Sequence, residues 1–590
     1  MSPTPHRYRP EEIEALRAKY RAERDRRIRP DGATQYRRAA GEFGYYAKDP
    51  YTPFQERAPR TDRVDAVVVG GGFGGLLTGA RLRQAGVQRI RMIDEAGDFG
   101  GTWYWNRYPG IHCDIESMVY LPLLEEVGYV PKWRYAPGEE IRQHSMAIAR
   151  RFDLYDDTMF QTRVTELRWD DDDAEWTVTT DRGDVFPSRY VVVSSGTLTS
   201  PKLPGIPGIE TFRGHTFHTS RWDHGYDLSG RRIGVIGTGA TGIQVVPEIA
   251  KEAGHLYVFQ RTPSSIDVRD NRPIDPSFAD SLKPGWQQER MENFLTLITG
   301  GHVDEDLVGD GWTATARLQR QMLTGSVDNT LSAEERDYLD ELADFRKMDE
   351  IRARVDTVVD DPAVAELLKP WYRYMCKRPG FSDHYLQTFN RPNVTLVDTA
   401  DHGGVTAMTS SGVVVGDREY EVDCVVFATG FEVGISGVVS GTLPVLGRGG
   451  MPLLGHWRNG PRTLHGFCSN GFPNLFHLGS LQNAASVNFV HVLQEQATHI
   501  GALVAEAGKR GAKRIEPTAE AEQAWVDTIR AHAMDNFQFQ ADCTPGYYNG
   551  EGRPRPVNNS FGPGPVVFHD LLRAWRADGG MDEVLPAESR

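Results

Sequence analysis

Two glycine-rich turns of the form GxGxxG, each standing directly behind a short apolar strand, constrain this chain more than any other feature. The first follows Val64-Asp65-Ala66-Val67-Val68-Val69 and reads Gly70-Gly71-Gly72-Phe73-Gly74-Gly75. The second follows Arg232-Ile233-Gly234-Val235-Ile236 and reads Gly237-Thr238-Gly239-Ala240-Thr241-Gly242. A run dominated by valine and isoleucine has no alternating polar face, so it belongs inside a parallel sheet. Behind it, one glycine permits the tight turn, the next lets backbone approach a pyrophosphate, and the third lets the following helix pack closely. The helix N-terminus adds N–H donors and a favourable dipole. A dinucleotide cradle is expected around Gly70, Gly72 and Gly75, and a second around Gly237, Thr238, Gly239 and Gly242.

Charge distinguishes the two cradles. Asp94 ends the next strand, Arg91-Met92-Ile93, 19 residues after Gly75, where a carboxylate can accept hydrogen bonds from a ribose diol. In the second copy Leu256-Tyr257-Val258-Phe259 leads to Arg261, again 19 residues beyond the last glycine, with Thr262 beside it. No carboxylate repels a 2′-phosphate there, and the forked donors of a guanidinium match phosphate oxygens. The first cradle therefore reads as an FAD site and the second as an NADPH site, with hydride passing from NADPH to flavin. The alternative reading of Arg261, an arginine ending a strand at the surface, is disfavoured by the cradle before it. Cys424-Val425-Val426-Phe427, running into Ala428-Thr429-Gly430-Phe431, is expected to close a parallel sheet near the first cradle, with Gly430 allowing close backbone approach.

At 590 residues the chain is long enough for three or more structural units. It carries 66 Lys and Arg against 81 Asp and Glu, a net charge of -15, which works against non-specific attraction to nucleic acid or anionic lipid. No run approaches the roughly 18 to 20 apolar residues of a membrane span, and the N-terminus lacks the apolar core of a signal peptide, so a soluble protein is expected. The five cysteines form no CxxC, and a chain of this size does not need disulfides. A reducing cytoplasm is the expected setting, and no metal framework is expected.

Between the cradles stands Phe212-x-Gly214-x-x-x-His218-x-x-x-Trp222-Asp223, complete over its 12 positions. On this pattern the chain resembles the type I Baeyer-Villiger monooxygenases, flavin enzymes that insert one oxygen atom of O2 beside a ketone carbonyl. The S- and N-oxygenating flavin-containing monooxygenases are similar up to the histidine but usually lack the Trp-Asp end, and they are the alternative. Gly100-Gly101-Thr102-Trp103-Tyr104-Trp105-Asn106-Arg107-Tyr108-Pro109-Gly110, through Asp114, looks like the family's flavin-facing loop. The resemblance implies FAD contacts from Thr102, Trp103, Trp105, Asp114 and Tyr120. Lys377-Arg378 looks like the family's pair of NADPH ligand and catalytic cation, which puts Lys377 at the 2′-phosphate with Arg261 and Thr262, and Asp114 beside Arg378 as its orienting partner.

The implied chemistry explains these residue types. A C4a-peroxyflavin attacks a ketone only as an anion, so the site has to favour negative charge and exclude water, and a permanently protonated arginine does the first. Without the resemblance, Arg378 reads as a surface cation, Asp114 as a loop carboxylate and His218 as a structural histidine. The resemblance gives His218 a hinge and linker role. Near the C-terminus better-known relatives place a Trp beside the nicotinamide, whereas this chain has Cys543-Thr544-Pro545-Gly546-Tyr547-Tyr548-Asn549, so Tyr547 would supply that contact. This stretch, Met375-Cys376-Lys377-Arg378-Pro379 and an N-terminal extension of about 60 residues are similar to the subgroup acting on bulky rings, which includes cyclopentadecanone monooxygenase and the lactone-forming enzymes of pentalenolactone biosynthesis. The implied reaction turns a large-ring or polycyclic ketone and O2 into a lactone, with small molecules as partners of a monomer or homo-oligomer.

The expected fold is α/β, two Rossmann-like dinucleotide-binding domains with a helical subdomain inserted in the NADP domain. Residues 1–63 form an N-terminal helical extension, 64–204 and 429–510 the FAD domain, 205–275 and 371–428 the NADP domain, 276–370 the helical subdomain, and 511–590 a C-terminal helix and substrate-covering loop. Pro10, Glu11 and Glu12 start a helix reaching to about residue 29, where Pro30-Asp31-Gly32 ends it. Its stripe of Ile13, Leu16 and Tyr20 suits a surface arm packed on the body or on a neighbouring subunit. Ser332 and Glu335 frame a capping box, Glu516 to Arg530 reads as one more helix, and Asn549 to Pro565 as a mobile loop able to cover substrate.

Overall fold

The computed structural model describes residues 8–198, 200–324, 332–432, 442–533, 536–554 and 560–585. Parts of the expected extension (1–7), FAD domain (433–441) and covering loop (555–559) lie outside the described residues. The first cradle's strand, Val64–Val69, pairs in parallel with Ile90–Ile93 on one side and Val185–Val193 on the other. Beyond Val185–Val193 the sheet turns antiparallel through Glu175–Thr180 and Val164–Asp170, while Leu475–His477 adds a parallel pairing. Both faces are covered. Val68 packs with Leu76 and Ala80 of helix Phe73–Gln84 and with Ile500 of helix Phe489–Arg510, and Val67 faces Trp176 and Phe472. This two-sided burial is why the strand reads as a continuous apolar run.

The second sheet has five parallel strands in the spatial order Val394–Asp398, His255–Gln260, Arg232–Ile236, Cys424–Phe427, His215–His218. Cys424–Phe427 therefore stands beside the second cradle, contrary to the expectation that it lies near the first. Its four residues are fully buried and need a strand on each side, which Arg232–Ile236 and His215–His218 provide. Between His255–Gln260 and Val394–Asp398 the chain departs into helices Trp286–Ile298, Gly311–Thr324, Ala333–Val358 and Pro362–Leu368. The longest of these starts at the anticipated capping box: Glu335 N–H donates to the Ser332 hydroxyl at 3.2 Å, and Ser332 N–H donates to the Glu335 carboxylate at 2.8 Å.

The N-terminal helix, Pro10–Asp25, packs its buried Ile13 and Tyr20 against Phe345, Leu342 and Trp371. It ends four residues early because the following arginines leave the helix axis for other partners: Arg26 pairs with Asp398, Arg27 donates to the Arg261 carbonyl and Arg29 to the Gly403 carbonyl. The chain then adds strand Tyr36–Arg38 antiparallel to Lys202–Pro204, so the arm runs along the second cradle. The expected C-terminal helix is Ala519–Ala531, capped by Thr518. A further helix, Pro565–Ala577, was not anticipated; Pro565 opens it where its missing N–H costs nothing, and Phe568 and Leu572 bury against the first core.

The cysteine expectation needs correction. Cys376 and Cys543, 167 residues apart, form a disulfide, leaving Cys113, Cys424 and Cys468 as buried thiols. Sequence spacing could not show that the turn Tyr374–Cys376 and the end of helix Phe537–Asp542 meet in a cluster with Met348, Ile351 and Tyr372.

Candidate active site

Sterics in the first cradle follow the three-glycine logic. Gly70 has φ +113°, and a Cβ there would lie 2.3 Å from the Ser194 carbonyl oxygen; a Cβ on Gly75 would lie 1.8 Å from the Gly70 oxygen. Neither position can carry a side chain. Gly72 faces Gly101, whose Cα lies 3.4 Å from where a Cβ would be. Asp94 accepts N–H bonds from Gly71 and from Ala96, which fixes its carboxylate at the rim. Burial raises its pKa, opposed by those two N–H donors.

One loop joins this cradle to the second. Gly100 N–H donates to the Gly71 carbonyl at 3.0 Å. Thr102–Trp105 is a single helical turn, in which Trp103 Nε1 donates to Tyr120 Oη at 2.9 Å and the two rings meet edge to face. Trp105 is buried beneath the Arg221 guanidinium, 3.7 Å from its ring centre, so it joins the loop to the 212–223 segment. The loop then reaches helix Gly242–Glu252: Gly110 lies against the Gln244 carbonyl, and His112 N–H donates to Gln244 Oε1 at 2.7 Å. Asp114 follows two residues later.

The second cradle repeats the first. Gly237 has φ +110° and a Cβ there would sit 2.4 Å from the Ala428 oxygen, while a Cβ on Gly242 would sit 2.4 Å from the Gly237 oxygen. Gly239 meets nothing within 4 Å, so its backbone faces open space. Thr238 Oγ1 donates to the Thr262 carbonyl at 2.9 Å. The Thr262 hydroxyl is buried with no hydrogen-bond partner. A buried hydroxyl left unpaired is costly, and a phosphate oxygen would satisfy it. Two cradles that admit no Cβ at their turns, one open at its middle glycine and flanked by an unpaired hydroxyl, fit FAD and NADP.

Arg261 donates through Nη1 to Gln35 at 2.5 Å and through Nη2 to Glu551 at 2.9 Å. Lys377 shares this neighbourhood: burial, then Arg261, lower its pKa to about 8, while Glu551 pulls it back up.

Arg378 and Asp114 form a two-point fork, Nε to Oδ2 at 2.8 Å and Nη2 to Oδ1 at 2.7 Å. The guanidinium also lies 5.1 Å from the Trp312 ring centre, and Trp312 Nε1 donates to the Asp114 carbonyl at 2.9 Å. Burial works against both charges, but the pair overrides it: the Asp114 pKa falls below the usual carboxylate range and that of Arg378 rises. Tyr547, 46% exposed, lies against Tyr548 with ring centres 4.4 Å apart and the rings tilted by 55°, and both phenols lie within electrostatic reach of Arg378.

His218 is fully buried and ties two segments together. Its Nδ1 accepts from Ser220 N–H at 3.2 Å, leaving Nε2 to donate to the Gly430 carbonyl at 3.0 Å. Burial lowers its pKa to about 3, so it is neutral at pH 7. Trp222 N–H donates to Tyr51 Oη at 3.0 Å, and Asp223 pairs with His215. The 212–223 segment thus couples the second sheet to the chain that leaves it at Gly430.

Residues missed from sequence are those whose role depends on distant partners. Arg269, buried with an unpaired Nε, adds a second cation near Asp114. Lys202 and Glu551 join Arg261, and Trp312 joins Arg378. None carries a local motif. His491, Glu495 and His569 have metal-ligand chemistry and lie within 4.8 Å of one another. Arg573 and Arg576 act on Glu495 there, and their positive potential disfavours a divalent cation.

The flavin-binding monooxygenase-like family matches residues 129–276, and the NAD(P)-binding Rossmann-like domain family matches residues 68–126. A Baeyer-Villiger monooxygenase of Streptomyces coelicolor is 58% identical over 98% of both chains, and pentalenolactone D synthase of Streptomyces arenae is 51% identical over 97% of this chain and 99% of its own. Among solved structures, a polycyclic ketone monooxygenase from the thermophilic fungus Thermothelomyces thermophila superposes with a TM-score of 0.90 at 40% identity, covering 97% of this chain and 98% of that one. A steroid monooxygenase bound to NADP superposes with a TM-score of 0.74 at 32% identity, covering 89% and 100%. Given the paired cradles, the Asp114–Arg378 fork and similarity over nearly the whole length, the chain belongs to the Baeyer-Villiger monooxygenases, FAD- and NADPH-dependent enzymes that insert one atom of O2 beside a carbonyl group.

Proposed function

We propose that this enzyme converts a bulky polycyclic or large-ring ketone, of the size of a sesquiterpenoid, into a lactone in secondary metabolism. The Asp114–Arg378 fork carries the reading of the site, since it sets a permanent cation at the end of the loop that spans both cradles. Relatives named for pentalenolactone synthesis and for polycyclic ketones support the substrate class. FAD held in the first cradle would supply the O2-activating redox chemistry, with NADPH as the reductant. Arg378 stabilises the negative charge that develops on the substrate carbonyl oxygen, and Asp114 holds the guanidinium in place for it. Gly70, Gly72, Gly75 and Asp94 hold the FAD pyrophosphate and ribose, and Thr102, Trp103, Trp105 and Tyr120 form the flavin side of the loop. Gly237, Thr238, Gly239 and Gly242 hold the NADP pyrophosphate, Arg261, Thr262 and Lys377 its 2′-phosphate, and Tyr547 borders the nicotinamide.

No helix among the described residues is long and apolar enough to cross a membrane. NADPH supply favours a cytoplasmic setting, where the Cys376–Cys543 bond would meet reducing thiols. The test is NADPH oxidation coupled to ester product across monocyclic, steroid and sesquiterpenoid ketones. Turnover confined to amines and sulfides would reject the lactone reading, and turnover confined to small rings would reject the substrate class.

A further inference from the structure

The anion site around Arg261 already holds a carboxylate of this chain. Glu551 is 5% exposed, accepts from Arg261 Nη2 at 2.9 Å and lies 3.8 Å from Lys202 Nζ. Lys377 acts on the same carboxylate, and Tyr36 and Gln35 of the N-terminal arm complete the surroundings. We propose that Glu551 is an internal stand-in for the 2′-phosphate of NADPH: its carboxylate occupies the anion position formed by Arg261, Lys202 and Lys377 and competes with the incoming nucleotide for it. The proposal rests on the reading of Arg261 as a 2′-phosphate ligand.

Three observations point this way. First, the charges do not balance. Arg261 and Lys202 contact the one buried carboxylate and Lys377 acts on it, with Arg27 and Glu432 acting from further out, whereas a phosphate monoester carries about -1.5 to -2 at pH 7, so exchanging one for the other improves neutralisation. Second, the backbone of Glu551 is in the left-handed region at φ +60°, between Gly550 at +60° and Gly552 at +85°. A non-glycine residue is disfavoured there, so the glutamate is present where glycine would fit more easily. Third, the adjacent Thr262 hydroxyl is buried and unpaired while Glu551 fills the site, as expected when a single carboxylate stands in for an anion with more acceptor oxygens.

The competition has a structural consequence. Glu551 N–H donates to the Gly546 carbonyl at 2.8 Å, and Asn549 Oδ1 accepts from both Gly546 and Gly552. Glu551 therefore belongs to one bonded turn with Tyr547 and Tyr548, the phenols near Arg378. A nucleotide that displaces the carboxylate removes this turn's bond to Arg261, while the Arg553–Pro30 contact and the Cys376–Cys543 disulfide still hold it.

The experiment compares wild type, Glu551→Gln, Glu551→Ala and Arg261→Ala as FAD-loaded enzymes, with equal flavin content and melting temperature as the folding check. Titration calorimetry with adenosine 2′,5′-bisphosphate and with 5′-AMP isolates the 2′-phosphate. In both Glu551 variants affinity for the bisphosphate is expected to rise about tenfold, the lower end for loss of a charge-assisted contact, with 5′-AMP unchanged. Unchanged or weaker bisphosphate binding would overturn the proposal, because Glu551 would then merely orient Arg261. An equal rise for both nucleotides would overturn it too, since the effect would not involve the 2′-phosphate. If Arg261→Ala leaves the bisphosphate preference intact, the underlying site assignment fails instead.

Discussion

Removing the Asp114 carboxylate should uncouple oxygenation from NADPH oxidation. Arg378 is held by two charge-assisted bonds at 2.8 and 2.7 Å. Such bonds contribute about 1.5 to 3 kcal/mol each when well shielded. Here 28% of the Arg378 side chain and 20% of the Asp114 side chain remain exposed, so the fork as a whole is discounted to about that range. Trp312 and the main chain still retain the guanidinium nearby, but its productive orientation should fall in population by about 10- to 150-fold in Asp114→Ala. The assay measures lactone formed per NADPH consumed, together with anaerobic flavin reduction by stopped flow. Product per NADPH should fall at least tenfold while flavin reduction slows much less. Asp114→Asn, which keeps the shape and one acceptor, should fall between wild type and Asp114→Ala. Wild-type coupling in Asp114→Ala would refute the argument that this fork positions the catalytic cation.

Further outcomes are expected. Gly75→Ala places a Cβ 1.8 Å from the Gly70 oxygen and should give protein purified with little FAD by absorbance, whereas Gly239→Ala, with open space around it, should retain FAD and lose NADP affinity. Burial lowers the pKa of His218, His465 and His491 to about 3, so between pH 6.5 and 3 the unfolded chain binds protons that the folded chain does not. Stability from these groups is complete above pH 6.5 and falls by about 1.4 kcal/mol per group per pH unit on acidification; denaturant midpoints that stay flat from pH 7 to 5 would contradict this. Thiol titration of the denatured, unreduced enzyme should count three cysteines, and Cys376→Ser should lose roughly 2 to 4 kcal/mol of stability. A count of five would remove the disulfide.

The sequence by itself determined the local devices. Gly75 and Gly242 each meet the carbonyl oxygen of the first glycine of their own cradle, and such constraints appear as fixed glycine spacing because they arise within one strand, turn and helix, whereas Gly70 and Gly237 meet Ser194 and Ala428 beyond a neighbouring strand. The capping box at Ser332 and the stripe of Ile13 and Tyr20 were local too, since propensity and periodicity need only neighbouring residues. The resemblance then brought Asp114 and Arg378 together, although 264 residues separate them and no spacing rule joins them. Only the tertiary structure decided the rest. Cys424–Phe427 is apolar throughout and would suit either sheet, so its place was set by which sheet had an open slot. Cys376 met Cys543, and Glu551 met Arg261 across 290 residues, because the C-terminal turn returns to the second cradle. Pairings of that kind depend on where separate segments converge, and a one-dimensional pattern encodes which side chains are available but not which of them become neighbours.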